Sequence, residues 1–249
     1  MQLIYNMQIP RIYQNQVLAV DQLLLLNDSA KHHLLNVLRL NTGAKLIIFN
    51  GEKGQFSGSI QSINKQRCEV LLESFADIDH ESPLTLHLGQ VISKGERMDF
   101  TIQKAVELGV SQITPLFSER CNVKLNAERL VKRMDHWQKI MIHACEQCNR
   151  NRLPILHPAL SLEQWLLNSS AQLKLILHPE GQSLSTLASR QSITDIQLVI
   201  GPEGGLTDQE IQLASNQQFT TIQLGHRILR TETAAIAAIT ACQFIWGDF

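Results

Sequence analysis

Ile196-Gln197-Leu198-Val199-Ile200-Gly201-Pro202-Glu203-Gly204-Gly205 is followed, one helix-like stretch later, by Thr220-Thr221-Ile222-Gln223-Leu224-Gly225-His226-Arg227-Ile228-Leu229-Arg230-Thr231-Glu232-Thr233. Each segment opens with a short run of β-branched and aliphatic residues, which predicts a strand, and ends in a glycine-bearing loop. Thr207-Asp208-Gln209-Glu210 has the spacing of a capping box and predicts a helix start. Thr233 precedes an alanine-rich run through Ala241, which predicts a second helix. The order is strand, loop, helix, strand, loop, helix. Strands joined by helical crossovers are normally parallel, so both loops are expected at one edge of a sheet, where α/β proteins bind ligands. Glycines there let main-chain N–H and C=O groups approach a ligand closely.

Neither loop contains G-x-G-x-x-G or the lysine-bearing phosphate loop, which removes the ordinary dinucleotide and nucleoside-triphosphate readings. One such loop alone reads equally as a turn between packed elements. Two of them, separated by one helix and one strand, point to a nucleotide-like ligand.

The chain of 249 residues is long enough for one large or two modest domains, each with its own core. Its 44% hydrophobic and 18% charged content is that of a globular protein and excludes a disordered one. No apolar run approaches the roughly 20 residues that span a bilayer; the longest leucine cluster is residues 23–26. The N-terminus lacks the basic and apolar regions of a secretory leader, so a cytoplasmic location is expected. Five cysteines, an odd number without a disulfide-like framework, fit a reducing compartment. Cys145-Glu146-Gln147-Cys148 lies in a predicted helix without a second such pair, so packed thiols and no metal are expected. The net charge of −1 does not advertise nucleic-acid binding, but eight basic against three acidic residues between Arg120 and Arg152 do mark a stripe. That stripe is either a solvated helix face or a phosphate-contacting surface.

Residues 45–49, 55–63 and 67–73 read as short strands, with one helix at 29–40 whose apolar side is Leu34, Leu35, Val37 and Leu38. Short strands with a single helix predict a small barrel. The polar, proline-ended stretch 76–83 is the expected domain boundary. Beyond it, strands at 84–92, 112–117 and 173–177 alternate with helices at 98–108 and 127–149, an α/β rhythm. The strand at 173–177 is expected to end in a third loop, His178-Pro179-Glu180-Gly181, beside the other two.

The strings GPEGGLTDQEI (201–211) and LGHRILRTETAA (224–235) closely resemble the signature of the RsmE family, bacterial 16S ribosomal RNA uridine N3-methyltransferases of the knotted SPOUT superfamily. The resemblance extends to HLGQVISKGERMDFTIQKAVELGVSQITPLFSERC (87–121), ACEQCNRNRLP (144–154), IPRIY (9–13) and HHLLNVLRL (32–40), and so covers nearly the whole chain. It implies an α/β SPOUT-type parallel sheet with a C-terminal trefoil knot (residues 76–249), preceded by a PUA-like RNA-binding β-barrel domain (residues 1–75). It also implies a homodimer and a family start near Met7, which makes Met1 to Asn6 an extension or an upstream start.

The implied reaction moves a methyl group from S-adenosyl-L-methionine to N3 of a uridine in 16S rRNA within the small ribosomal subunit. The resemblance assigns the donor to Leu177, His178 and Pro179, to Gly201, Pro202, Glu203, Gly204 and Gly205, and to Leu224, Gly225, Ile228, Leu229, Arg230, Thr231, Thr233 and Ala234. Uracil N3 is nucleophilic only without its proton, and the negative charge left behind spreads onto two carbonyl oxygens, where a guanidinium fork stabilises it. Arg230 is expected in that role, with Glu232 orienting it or accepting the proton; the alternative is a pair that only fixes the loop. N3 lies on the Watson–Crick edge, so the base must be unpaired or turned out. Arg11, His33 and Arg39 in the first domain and Lys94, Arg97 and Arg120 near the loops are the candidate RNA contacts. Competing functions are a ribosome-assembly factor with a vestigial donor pocket and methylation of another RNA nucleoside.

Overall fold

The computed structural model describes residues 9–188 and 193–249. The expectation about a start at Met1 or Met7 lies outside the described residues. The chain forms two compact units: residues up to Glu81 with Cys145–Leu153, and Ser82–Ala144 with Pro154–Phe249.

The first unit contains β1 (Arg11–Tyr13), β2 (Leu23–Leu25), α1 (Asp28–His32), β3 (Lys45–Phe49), β4 (Gln55–Ile63) and β5 (Cys68–Ala76). Their sheet order is β1-β3-β4-β5-β2, with β1 parallel to β3 and the other pairs antiparallel. Leu24, Leu46, Ile48, Ile60, Val70 and Leu72 alternate inward to form its core. Among the described residues the expected barrel is not closed by strand pairing: β1 and β2 are both edges, each three residues long. A side-chain bond from the Asn27 N–H to Gln14 Oε1 at 3.2 Å joins the segments that follow them.

The helix predicted over 29–40 is shorter and changes type. Asn27 caps α1 by accepting from the Ala30 N–H at 2.9 Å. A single π-turn over His33–Val37 follows, with the Leu38 N–H donating to His33 O. That wider turn rotates later side chains off the apolar face, so Leu34 is buried whereas Val37 and Leu38 are exposed. Arg39, at φ 53°, ends the segment.

The second unit contains β6 (Thr85–Val91), α2 (Glu96–Glu107), β7 (Gln112–Phe117), α3 (Ala127–Cys148, its last turn within the first unit), β8 (Ile155–Leu156), β9 (Leu160–Ser161) and α4 (Leu162–Leu167). These are followed by β10 (Leu173–Ser183), β11 (Asp195–Ile200), α5 (Asp208–Asn216), β12 (Thr220–Gln223) and α6 (Thr231–Trp246). The sheet order is β12-β10-β11-β6-β7-β8, with β9 also on β7, and every pair is parallel. Parallel strands covered on both faces require nearly continuous burial, which Ile196, Leu198, Val199 and Ile200 of β11 supply. Leu116, Trp165, Ile176, Val199 and Phe219 join one core cluster on this sheet.

Thr207 and Glu210 make the predicted capping box at the start of α5. The last helix, by contrast, starts at Thr231 rather than after Thr233, because Arg230 is already extended (φ −66°, ψ 154°) at the N-cap. The expected loop at 178–181 is not a loop but a bulge. The register against β12 jumps from Leu177 opposite Ile222 to Gln182 opposite the same Ile222, so residues 178–181 are extruded and β10 resumes to Ser183. Gly181 permits this: a Cβ there would lie 2.5–2.7 Å from three main-chain atoms of Ile222. Since β10 lies between β11 and β12, the chain steps across β10 on its way from one glycine loop to the other.

Candidate functional site: a cavity at the ends of three parallel strands

Because β10, β11 and β12 run the same way, the bulge at 178–181 and the loops at 201–207 and 224–230 gather at one edge of the sheet. They enclose a cavity of about 600 Å³. Of the expected donor residues, Leu177, His178, Pro179, Gly201, Pro202, Glu203, Gly205, Leu224, Gly225, Ile228, Leu229, Arg230, Thr231 and Ala234 line it.

Gly204 and Thr233 do not line it. The Gly204 carbonyl accepts from Arg120 Nη1 at 3.1 Å, so its peptide is engaged at the rim. Thr233 is exposed on α6: two residues beyond Thr231, it is turned about 200° away, whereas Ala234 returns to the cavity face. Ile200, Leu206 and Gln223 line the cavity and were not anticipated. Ile200 and Gln223 are the last residues of their strands, and strand ends were the available signal.

The walls are mostly main chain and apolar side chain. Ile228 is 92% exposed, which rules out core packing as its role. Gly225 has φ +77°, and a methyl group there would meet nothing closer than Arg227 Nη2 at 3.9 Å. The space over it is unfilled by the protein. The Thr231 hydroxyl donates to the Gly201 carbonyl at 2.8 Å and accepts from Gln90 Nε2 at 3.1 Å, which ties both loops together from behind.

Charge at the rim is mainly positive. Arg97 and Arg120 line the cavity; Arg97 Nη1 donates to Glu203 Oε1 at 2.8 Å. Arg230 is exposed on the wall, and Glu232 follows in the first turn of α6, where the helix N-terminus favours a carboxylate. Glu232 Oε2 is buried without a hydrogen-bond partner, and no ion pair joins it to Arg230 among the described residues. Both groups are therefore uncommitted.

The remaining expected RNA contacts divide. Lys94 is exposed ahead of α2 but outside the cavity lining. In the first unit, Arg39 is exposed and His33 half-buried. Arg11 does not fit the expectation: it is 9% exposed, donates to Gln55 Oε1 and Asn151 Oδ1 at 2.5 Å each, and lies 5.1 Å from the Phe49 ring centroid. A guanidinium so engaged braces its own unit. Cys145 is buried near the end of α3, and burial pushes its thiol up to about 12. No cluster of three metal-ligating side chains occurs among the described residues.

Residues 80–243 match the family model of an RNA methyltransferase domain, and residues 26–73 that of an RNA methyltransferase PUA domain. The chain is 42% identical to the ribosomal RNA small subunit methyltransferase E of Buchnera aphidicola subsp. Schizaphis graminum, over 97% of this chain and 98% of that relative. The ribosomal RNA small subunit methyltransferase E of Neisseria gonorrhoeae, solved bound to S-adenosyl methionine, superposes with a TM-score of 0.89 at 40% identity, covering 97% of this chain and 99% of that one. A Legionella pneumophila structure, described as a methyltransferase in complex with the cofactor SAM, gives 0.94 at 44% identity, covering 97% and 100%. With likeness of this depth along nearly its whole length, the chain belongs to the ribosomal RNA small subunit methyltransferase E family of RNA methyltransferases.

Proposed function

We propose that this protein transfers a methyl group from S-adenosyl-L-methionine to N3 of one uridine in the 16S rRNA of the small ribosomal subunit. The observation that carries the reading is the cavity at the ends of β10, β11 and β12, with Arg230 exposed on its wall; Glu232, outside the lining, follows two residues on with one buried oxygen that has no partner among the described residues. Its volume of about 600 Å³ lies within the roughly 300–1,000 Å³ range of small-molecule sites. The unfilled space over Gly225 and the solvent-facing side chain of Ile228 fit a flat adenosyl group. Main-chain groups of 201–205 and 224–229 supply its hydrogen bonds.

When bound, S-adenosyl-L-methionine supplies a methyl group activated on a sulfonium and leaves as the neutral thioether once the N3–methyl bond has formed. The protein's own contribution is to position and to manage one proton and one negative charge. Glu232 Oε2, a buried acceptor without a partner, takes the proton from N3. Arg230 donates to the uracil carbonyl oxygens as charge accumulates on them. Arg97 and Arg120 at the rim, with Lys94 nearby in sequence, meet the RNA backbone. The first unit, which ends at Glu81 rather than at the expected residue 75 and includes Cys145–Leu153, acts as the RNA-reading domain, and the second unit acts as the catalytic domain. Arg39 and His33 are the contacts of the first.

The step from β11 over β10 to β12 supports a trefoil knot in the C-terminal part. The largely apolar α6, with Phe244 exposed near its end, supports a homodimer. The reading is tested by tritiated-methyl transfer to small subunits from a strain lacking the modification, followed by nucleoside mass spectrometry. One N3-methyluridine per 16S rRNA is expected. Binding to the subunit without transfer would favour an assembly factor, and label on another base or a ribose would favour a different RNA methyltransferase.

A further inference from the structure

Gln90 is a fully buried amide at the C-terminal end of β6, in register with Ile200, the residue before Gly201. Its Nε2 donates to Val91 O at 3.0 Å and to Thr231 Oγ1 at 3.1 Å. The Thr231 hydroxyl, itself buried, donates in turn to Gly201 O at 2.8 Å. One amide thus joins three segments: the end of β6, the loop after β11 and the first turn of α6.

The direction of this relay matters. A hydroxyl that accepts from Gln90 has its single proton free for Gly201, so the Gly201 carbonyl is held in one orientation and the Pro202 peptide follows it. Thr231 is fixed at the same time, and Arg230 precedes it as the N-cap. Gln90 Oε1, by contrast, is buried with no partner among the described residues. Such an acceptor is costly, and an apolar side chain of similar length would avoid that cost. What the amide contributes is therefore its donor to Thr231.

We infer that Gln90 is a positioning residue for donor binding, acting through the Thr231 hydroxyl on the main chain at Gly201. The inference rests on the proposed role of this cavity as the S-adenosylmethionine site.

The test uses the full chain and measures donor Kd by calorimetry, KM for donor and for RNA, and Tm. Gln90→Met keeps the length and removes the donor; Thr231→Val removes the relay; Thr231→Ser keeps the hydroxyl. Gln243→Met is the control. Gln243 is also a fully buried amide of the second unit, bonded to Leu108 O at 2.9 Å and Ser82 Oγ at 2.7 Å, and it does not line the cavity. Gln90→Met and Thr231→Val should each weaken donor binding by about tenfold, the worth of roughly one net hydrogen bond. The double variant should be no weaker than about tenfold, because both substitutions cut one relay. Thr231→Ser should restore most of what Thr231→Val loses, KM for RNA should stay put, and Gln243→Met should lower Tm without moving the donor Kd.

The inference is overturned if Gln90→Met shifts donor binding no more than Gln243→Met does, or if the two losses multiply to about a hundredfold in the double variant. Should Gln90→Met not fold, Gln90→Leu, which also lacks the donor, is measured in its place against Gln243→Met, with the same two outcomes. Wild-type protein that does not bind S-adenosylmethionine would instead remove the reading beneath it.

Discussion

Replacing Gly181 with alanine tests how the cavity is built. Gly181 lies in the bulge of β10, where an added Cβ would sit 2.5 Å from the Ile222 carbonyl carbon, 2.6 Å from its nitrogen and 2.7 Å from its Cα. Ordinary Cβ contacts begin at 3.4 Å. All three atoms are main chain, so no side chain can rotate away and β12 must retreat from β10 by up to about 1 Å. Overpacking of this kind costs about 1–3 kcal/mol. For a chain of this size a loss of ~2 kcal/mol lowers Tm by about 4–8 °C. The displacement also travels, since Gln223 and Leu224 follow Ile222 onto one cavity wall and residues 177–179 precede Gly181 on another. A misplacement of ~1 Å in a reacting geometry can cost about 10²-fold in rate. The assay pairs thermal unfolding with single-turnover methyl transfer at a temperature where the variant is folded. A Tm within about 1 °C of wild type together with a transfer rate within about twofold would refute the described packing of β10 on β12.

Arg230→Ala should lower methyl transfer by about 10²–10³-fold while the calorimetric donor Kd changes little, because a group that stabilises developing charge acts on the rate. Equal losses in rate and donor affinity would assign Arg230 to holding the loop. His87 makes the protein acid-sensitive: burial first, and then neighbouring His157, lower its pKa from 6.5 to about 4. The unfolded chain takes up this proton as pH falls through 6.5 and the folded protein only near 4, so the stabilisation is complete above 6.5 and is lost on descending to 4. The loss amounts to about 3 kcal/mol. His87→Gln should flatten the decline of Tm across that window, and parallel profiles would contradict the assignment. Replacing Arg39 and Arg97 together should reduce the slope of log affinity for RNA against log salt by about 1.4–1.8, the release from two phosphates. An unchanged slope removes both from the RNA interface.

The strand–loop–helix repeat was legible because each part carries its own local signal. β-branched runs mark β11 and β12, and Thr207 with Glu210 marks the start of α5. What escaped depends on tertiary contact. The continuation of β10 past Pro179 rests on pairing with Ile222, and nothing in His178-Pro179-Glu180-Gly181 announces a strand. α6 begins three residues early, since its N-cap Arg230 makes no side-chain capping bond and so carries no capping signal in the sequence. β1 and β2 are too short for alternation to register. Arg11 illustrates the limit of reading charge, since a basic residue in a strand looks the same whether it meets phosphate or, as here, Asn151 and Gln55. Gln90 did leave a trace, the one amide side chain of β6, but burial was needed to give it meaning. The two glycine loops announced only part of the cavity, whose lining is completed by Leu177, His178 and Pro179 of β10, by Arg97 and Arg120, and by the strand ends Ile200 and Gln223.

A crystal structure of the protein with S-adenosylmethionine is the most direct test of the account. The adenosyl group is predicted to lie between the main chain of residues 201–205 and 224–229, beside Ile228, with the methyl group facing Arg230 and Glu232. Donor density outside this cavity, or a methyl group turned away from those two side chains, would contradict it.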